Sequence, residues 1–421
     1  MRSRNLLISV ISLLFPVVIF AQAGEPVDPF ANNSTDTKKE YLHQTSLQTY
    51  YQGNTLNRDN LFNPGLTAFP NYQHVSVLDW QLTSQWQSNY QLTARAITQY
   101  DKSNLIEDSR VSMLEGAIKW HSDDYQWQWQ LGRIHTQWST GFNWHLMNVL
   151  SPYRNRPYID IDNPNQQKGW DMFTIKYQHN NWFYQLVAAD YVTKNNQHKL
   201  QYVARLGYQG EHDFSLLIHK LPTQDINFAA SYNKILTDNI TLRTQWSQTS
   251  LREQETRILT GNISDKHYQK LLLGIGYSLA SGHDFRVEYL HTQHGFRQDE
   301  WNQITQQSTI SNTQIMKNQG NNNDYSYLGA ALSSLGRGQL RRNYLYLSYT
   351  SPLSSQLWQY RQSIQINMDD DSQLHRLAIL KSWNNSLTSR LQVEAFTGCT
   401  QCEYGLTPNK HNIRFVLNWA F

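Results

Sequence analysis

The chain has 421 residues, 39% hydrophobic and only 16% charged, with a formal net charge of +3. Soluble globular domains carry about a quarter charged residues, so this composition argues against one. The small net charge and the lack of a basic cluster argue against a nucleic-acid partner. Two cysteines, Cys399 and Cys402, are too few for a disulfide framework and fit an oxidising compartment.

The first residues address the chain. Arg2 and Arg4 precede an apolar run from Leu6 to Phe20, which ends on Ala21-Gln22-Ala23. This is the pattern of a secretory signal peptide, expected over residues 1–23 with cleavage before Gly24. The run is shorter than the ~20 residues a helix needs to span a bilayer. Residues 24–39 are rich in Ser, Thr, Asn, Asp and Pro and are expected as a short periplasmic tail or plug.

From residue 40 to 421 the chain breaks into segments of about ten residues in which apolar and polar side chains alternate. Strands are expected near 40–51, 74–87, 90–100, 110–120, 125–136, 170–178, 182–191, 199–209, 213–221, 226–236, 239–250, 267–279, 284–293, 342–350, 356–367, 373–382, 386–396 and 411–421. The even count, 18 with about 16 as the alternative, suits a single-chain barrel. Links after even-numbered strands are tight and use turn residues: Ser88-Asn89, Ser122-Asp123-Asp124, Asn180-Asn181, Asp238-Asn239 and Gly282-His283. Links after odd-numbered strands are mostly longer, notably 137–169, 251–266, 294–341 and 397–410. Short periplasmic turns and long external loops are the asymmetry of an outer-membrane barrel. No stretch here is apolar for long enough to be a spanning helix; even Leu271 to Tyr277 breaks off after a few residues.

The last strand carries the most specific signal. Ile413, Phe415, Leu417, Trp419 and Phe421 form one apolar and aromatic face, and the chain stops on Phe421. This resembles the C-terminal signature of Gram-negative outer-membrane β-barrels. The resemblance implies recognition of Phe415, Leu417, Trp419 and Phe421 by the barrel assembly machinery. It also implies an all-β, transmembrane antiparallel barrel held in outer-membrane lipid. A shorter stretch, Leu131-Gly132-Arg133 with Trp138 and Asn148 to Pro152, is similar to a motif of porin-like barrels. There a Gly-Arg strand end leads through a Trp-Gly pair to an Asn-Pro turn; here Ser139 follows Trp138 and Ser151 precedes Pro152.

Burial fixes the pleat. Leu271, Leu273, Ile275, Tyr277 and Leu279 are expected toward lipid, with Gly274, Gly276 and Ser278 inside. Trp127, Trp129 and Leu131 are likewise expected outside, with Gln126, Gln128 and Gln130 inside. The same phase turns Arg95, Arg205, Arg243, Arg286, Arg361, Arg376, Arg390 and Arg414 toward the lumen, with fewer acids, Glu115, Glu288 and Glu394. Guanidinium groups attract carboxylate and phosphate and stay charged. Segment 137–169 is too aromatic to lie free in solvent. It is expected to fold inward and narrow the pore, with Arg154 and Arg156 facing Asp160 or Asp162. Segment 294–341 is read as a mobile loop, with gating of the mouth and ligand binding as the alternatives. Cys399 and Cys402 are read as a structural disulfide, since no second pair or His completes a metal site.

A channel for small polar solutes follows as the expected function, with no cofactor and no metal; the arginines suit anionic carboxylates or phosphates, while the abundant lumen Gln, Asn, Tyr and Trp suit sugars. The alternative is a barrel serving as a structural component of an export or envelope-assembly system with a periplasmic partner protein. An enzyme is not expected: Ser139, His135 and His145 lie near one another but no nucleophile elbow surrounds them. An active transporter would need about 22 strands and a folded plug.

Overall fold

Alternation over so many segments has one membrane solution, a sheet closed on itself, because an open edge would leave backbone groups unpaired in lipid. The computed structural model describes residues 41–421 except 87, 151–167, 193–195, 223–224, 251–257, 262–266 and 336–337. The expected signal peptide and tail lie outside the described residues. The strands are β1 (Tyr41–Leu56), β2 (Tyr72–Trp86), β3 (Tyr90–Ser103), β4 (Glu107–His121), β5 (Trp127–Ile134), β6 (Trp170–His179), β7 (Trp182–Val192), β8 (His198–Tyr208) and β9 (His212–Lys220). They continue as β10 (Ile226–Thr237), β11 (Ile240–Thr249), β12 (Tyr268–Ser278), β13 (Asp284–Thr292), β14 (Asn343–Thr350), β15 (Trp358–Asn367), β16 (Gln373–Ser382), β17 (Leu387–Thr397) and β18 (Asn409–Ala420). Each expected strand has its counterpart, and every neighbour in sequence pairs antiparallel.

β1 pairs with both β2 and β18, so the 18-stranded sheet is a closed ring. At the seam Tyr51 faces Phe415 and Gln52 faces Arg414. Phe421 N donates to Thr45 O at 2.9 Å, and Thr45 N donates back to Phe421 O at 3.2 Å. The last residue therefore finishes the closure.

The exterior is apolar. On β12, Leu271 is 38% and Leu273 43% exposed while Leu272 between them is buried. Beside the short turns, Trp86, Trp127, Trp182, Tyr360, Trp383 and Trp419 are exposed, forming the aromatic girdle of a membrane interface. Among the described residues no helix is long and apolar enough to cross a membrane. A closed antiparallel barrel with this exterior is an outer-membrane protein. The turns follow from their residues: Asn180, alone with Asn181 between β6 and β7, takes φ 52°, which Asn tolerates.

Segment 294–341 departs from the mobile loop expected. It folds into two helices, α1 (Gln298–Met316) and α2 (Asn322–Leu335). Trp301, Ile304, Thr305, Ser308 and Ser311 form the buried face of α1, and its polar remainder hid the helical period. Arg297 N donates to Glu300 Oε2 at 2.9 Å at its start. Asp324 joins the helices, accepting from Ser311 Oγ at 2.7 Å and Asn321 N at 3.0 Å.

The hairpin buries Trp301, Ile304 and Ala331 together with Phe62, Leu259, Phe296, Leu340 and Leu406. Phe62, Leu259 and Leu406 come from the β1–β2, β11–β12 and β17–β18 links, so four long links share one small core at the long-loop end. Leu406 is fully buried there. Leu406→Asp would bury an unpaired charge, at a cost above about 3 kcal/mol. The expected result in limited proteolysis is cutting within 298–335, the helical roof of the long-loop end, while the barrel strands stay intact; an uncut roof would contradict this packing.

Candidate permeation site

The chain leaving β5 turns into the lumen. Its first anchor is local: Asn148 Oδ1 accepts from Trp138 N at 2.7 Å and Ser139 N at 2.8 Å. This pulls 138–148 into a compact loop. At its tip Gly141 packs so closely that an added Cβ would lie 1.9 Å from Trp144 O, which only glycine avoids.

The barrel wall receives this loop with matched polar groups. Ser139 Oγ donates to Gln245 Oε1 at 2.8 Å, and Leu146 N donates to the same oxygen at 2.9 Å. Thr140 Oγ1 donates to Asn233 Oδ1 at 2.6 Å. Glu288 on β13 is fully buried and accepts from three consecutive backbone N–H groups, Phe142, Asn143 (2.8 Å) and Trp144 (3.3 Å). A carboxylate meeting a run of amides is a strong charge-assisted contact. Asn143 Nδ2 reaches on to Gln365 Oε1 on β15 at 3.3 Å.

Apolar packing completes the seat. Trp138, Met147 and Leu150 join Met172, Val187, Val203 and Leu217 in the largest buried cluster. Trp144 packs with Leu272, Leu290 and Tyr344. The loop thus leans on the inner wall from β6 to β15, and residues 138–148 fold inward as the sequence led us to expect. Arg154, Arg156, Asp160 and Asp162, the expected constriction residues, lie outside the described residues.

Each of the eight arginines lies on the pleat opposite its strand's outward residues. Leu92, Tyr202, Val287, Tyr360, Leu391 and Ile413 are exposed neighbours on the other face of six of those strands. Their partners divide them into groups. Arg95 pairs with Asp79, Arg286 with Asp284 at 2.6 Å and Arg376 with Glu394 at 2.8 Å. Arg243 donates to Thr140 O and lies 4.2 Å from the Phe142 ring centroid, so it also holds the loop. Arg205 donates to Ser215 Oγ at 2.8 Å and stacks 4.7 Å from Phe183.

Arg361, Arg376, Arg390 and Arg414 occupy consecutive strands, β15 to β18. Arg361 Nε donates to Gln359 Oε1 at 3.2 Å and Arg414 Nε to Gln52 Oε1 at 2.8 Å. Glu394 is the inward acid of this stretch and also accepts from Asn412 at 3.1 Å. Among the described residues of these four strands, four inward guanidinium groups stand against one inward carboxylate, which makes this sector of the wall basic. Glu115 faces Arg95 across the β3–β4 ladder.

The sequence offered no sign that Glu288 would hold backbone amides, or that Gln245 and Gln365 would seat a loop. At the outer rim Cys399 and Cys402 are bonded to each other, and among the described residues no cluster that could hold a metal is present.

No family model and no curated protein matches this sequence. Solved structures share the fold across nearly the whole chain. OccK5 (OpdH) of Pseudomonas aeruginosa superposes with TM-score 0.57 at 8% identity, covering 91% of this chain and 98% of that one. OpdK of the same organism, an outer membrane protein also crystallised with vanillate, gives 0.56 at 9% identity over 91% and 98%. OccAB4 of Acinetobacter baumannii gives 0.53 at 7% identity over 92% and 100%. At such low identities the likeness concerns the fold.

Proposed function

We propose that the protein is an outer-membrane channel for small polar solutes, with a preference for anions. The observation that carries this reading is the basic inner wall: among the described residues, four adjacent strands each bear an inward arginine and together one inward glutamate, beside the inward loop that we take to narrow the path. A guanidinium on a strand is a fixed donor for carboxylate or phosphate oxygen, and a ladder of them lets an anion pass between sites without full rehydration. OpdK, crystallised with vanillate, an aromatic carboxylate, gives a precedent for such a ligand in a barrel of this shape. Arg95, Arg205, Arg243, Arg286, Glu115 and Glu288 complete the proposed lining, and Arg154, Arg156, Asp160 and Asp162 the proposed eyelet.

Catalysis is no part of this reading. The Ser139 hydroxyl donates to Gln245 rather than facing a general base. Outer-membrane lipid and the permeating solute are the partners it needs; engagement of the assembly machinery by Phe415, Leu417, Trp419 and Phe421 belongs to biogenesis.

Liposome swelling across sugars, amino acids and mono- and dicarboxylates tests the proposal. Carboxylates are expected to enter several-fold faster than uncharged sugars of equal size. Equal rates, or no swelling with any solute, would overturn it.

A further inference from the structure

We propose that Glu403 is a pH-sensitive latch coupling the helical roof over the mouth to the loop inside the barrel. Glu403 sits just after the Cys399–Cys402 clip and is buried. Its Oε1 accepts from Leu340 N at 3.1 Å, and its Oε2 from Tyr344 OH at 2.6 Å and Asn367 Nδ2 at 2.8 Å. Leu340 belongs to the roof core, so this carboxyl ties the β17–β18 link to the link carrying α1 and α2.

Two routes run from the latch to the loop. Tyr404 OH accepts from Gln365 Nε2, and Gln365 Oε1 accepts from Asn143 Nδ2 at 3.3 Å. The Tyr344 ring lies 6.2 Å from the Trp144 ring. Asn143 and Trp144 are the residues whose amides Glu288 holds. The latch and the inward loop therefore share neighbours on β14 and β15.

The charges facing Glu403 come from several elements. Its own N–H donates to Asp370 Oδ2 at 2.9 Å, in the β15–β16 turn. Arg341, before β14, directs Nη1 to that same Asp370 oxygen at 4.0 Å, donates to Gln298 of α1, and stacks 5.2 Å from Trp301. Tyr344 faces it from β14, and Arg376 of β16 acts on the adjoining Tyr404. The nearest cation is thus shared among Asp370, Gln298 and the Trp301 ring.

Burial pushes the Glu403 carboxyl from its ordinary 4.5 up to about 7; Asp370 adds to this, while its hydrogen bonds and Arg341 oppose it. The folded roof therefore holds this proton more tightly than an opened one. Its stability is greatest in acid, falls as pH rises between about 4.5 and 7, and is level above that. The opening equilibrium shifts by on the order of a hundred-fold across the window. Acid keeps the roof latched and the inward loop held; neutral and alkaline medium loosens both.

The test uses the full chain in lipid, with hydrogen exchange of 298–335, 398–408 and 138–148 followed from pH 5 to pH 8. After correction for intrinsic rates, opening of all three should rise together, by on the order of a hundred-fold in the roof. Glu403→Gln should stay protected throughout. Gln365→Ala should leave the roof responsive while 138–148 follow it more weakly, through the Tyr344–Trp144 contact alone. A wild-type roof indifferent to pH, or Glu403→Gln with the wild-type profile, would overturn the latch. Should Glu403→Gln fail to assemble, Asp370→Asn supplies the test: the transition must move to lower pH, and an unmoved one overturns it. The exchange readout does not need conduction, so a barrel that passes no ions contradicts the channel reading and leaves the latch to be judged separately.

Discussion

Glu288→Ala should release the inward loop and raise single-channel conductance at least about two-fold, with noisier open states. The carboxylate is buried and meets three consecutive amides of residues 142–144. Removing the partner of a buried charged contact costs about 3–5 kcal/mol, and three amides are left without their acceptor. Gln245, Asn233 and Arg243 still hold residues 139, 140 and 146, so the loop loosens at its tip rather than leaving the lumen. Glu288→Gln, with one carbonyl oxygen in place of two charged ones, should fall between. Unchanged conductance in Glu288→Ala, with the barrel still heat-resistant, would mean that the loop does not define the narrow path.

The second large effect concerns charge. Replacing Arg361 and Arg414 together by glutamine should lower the anion-to-cation permeability ratio several-fold, because the β15–β18 sector would keep Glu394 but lose half its guanidinium groups. Arg361 donates to Gln359 and Arg414 to Gln52. Arg376 is spent partly on Glu394. The shift should be greatest in dilute salt, since screening over ~10 Å sets in near 0.1 M. A paired control, Arg95→Ala with Arg243→Ala, exposes Asp79 and frees the Thr140 carbonyl, and should also move selectivity toward cations. Reversal potentials that stay put in both variants would remove these arginines from the permeation path.

How much of this was written in the sequence depends on the range of the interactions. Strand positions were legible because a two-residue period is local, and closure adds no exception to it: Leu271, Leu273 and Ile275 point outward just as their spacing requires. Strand ends were less so. β1 continues to Leu56 and β4 starts at Glu107, beyond the bounds that the alternation marked.

Inward folding of 138–148 was legible from its tryptophans, which need cover. What seats it was not. Glu288 meets amides 145 residues away in sequence, and nothing local marks a strand glutamate for that task. The hairpin of α1 and α2 was missed because its buried face mixes Trp301 and Ile304 with Thr305, Ser308 and Ser311, which blurs the apolar stripe. Glu403 was hidden for the same reason as Glu288, as its partners come from β14, β15 and the segment before β14.

The most direct test of the account is a planar-bilayer recording of the purified wild-type chain under a potassium chloride gradient. Discrete steps whose reversal potential lies on the chloride side of zero are the predicted result. A chain that inserts and yields no steps, or steps that favour potassium, would contradict it.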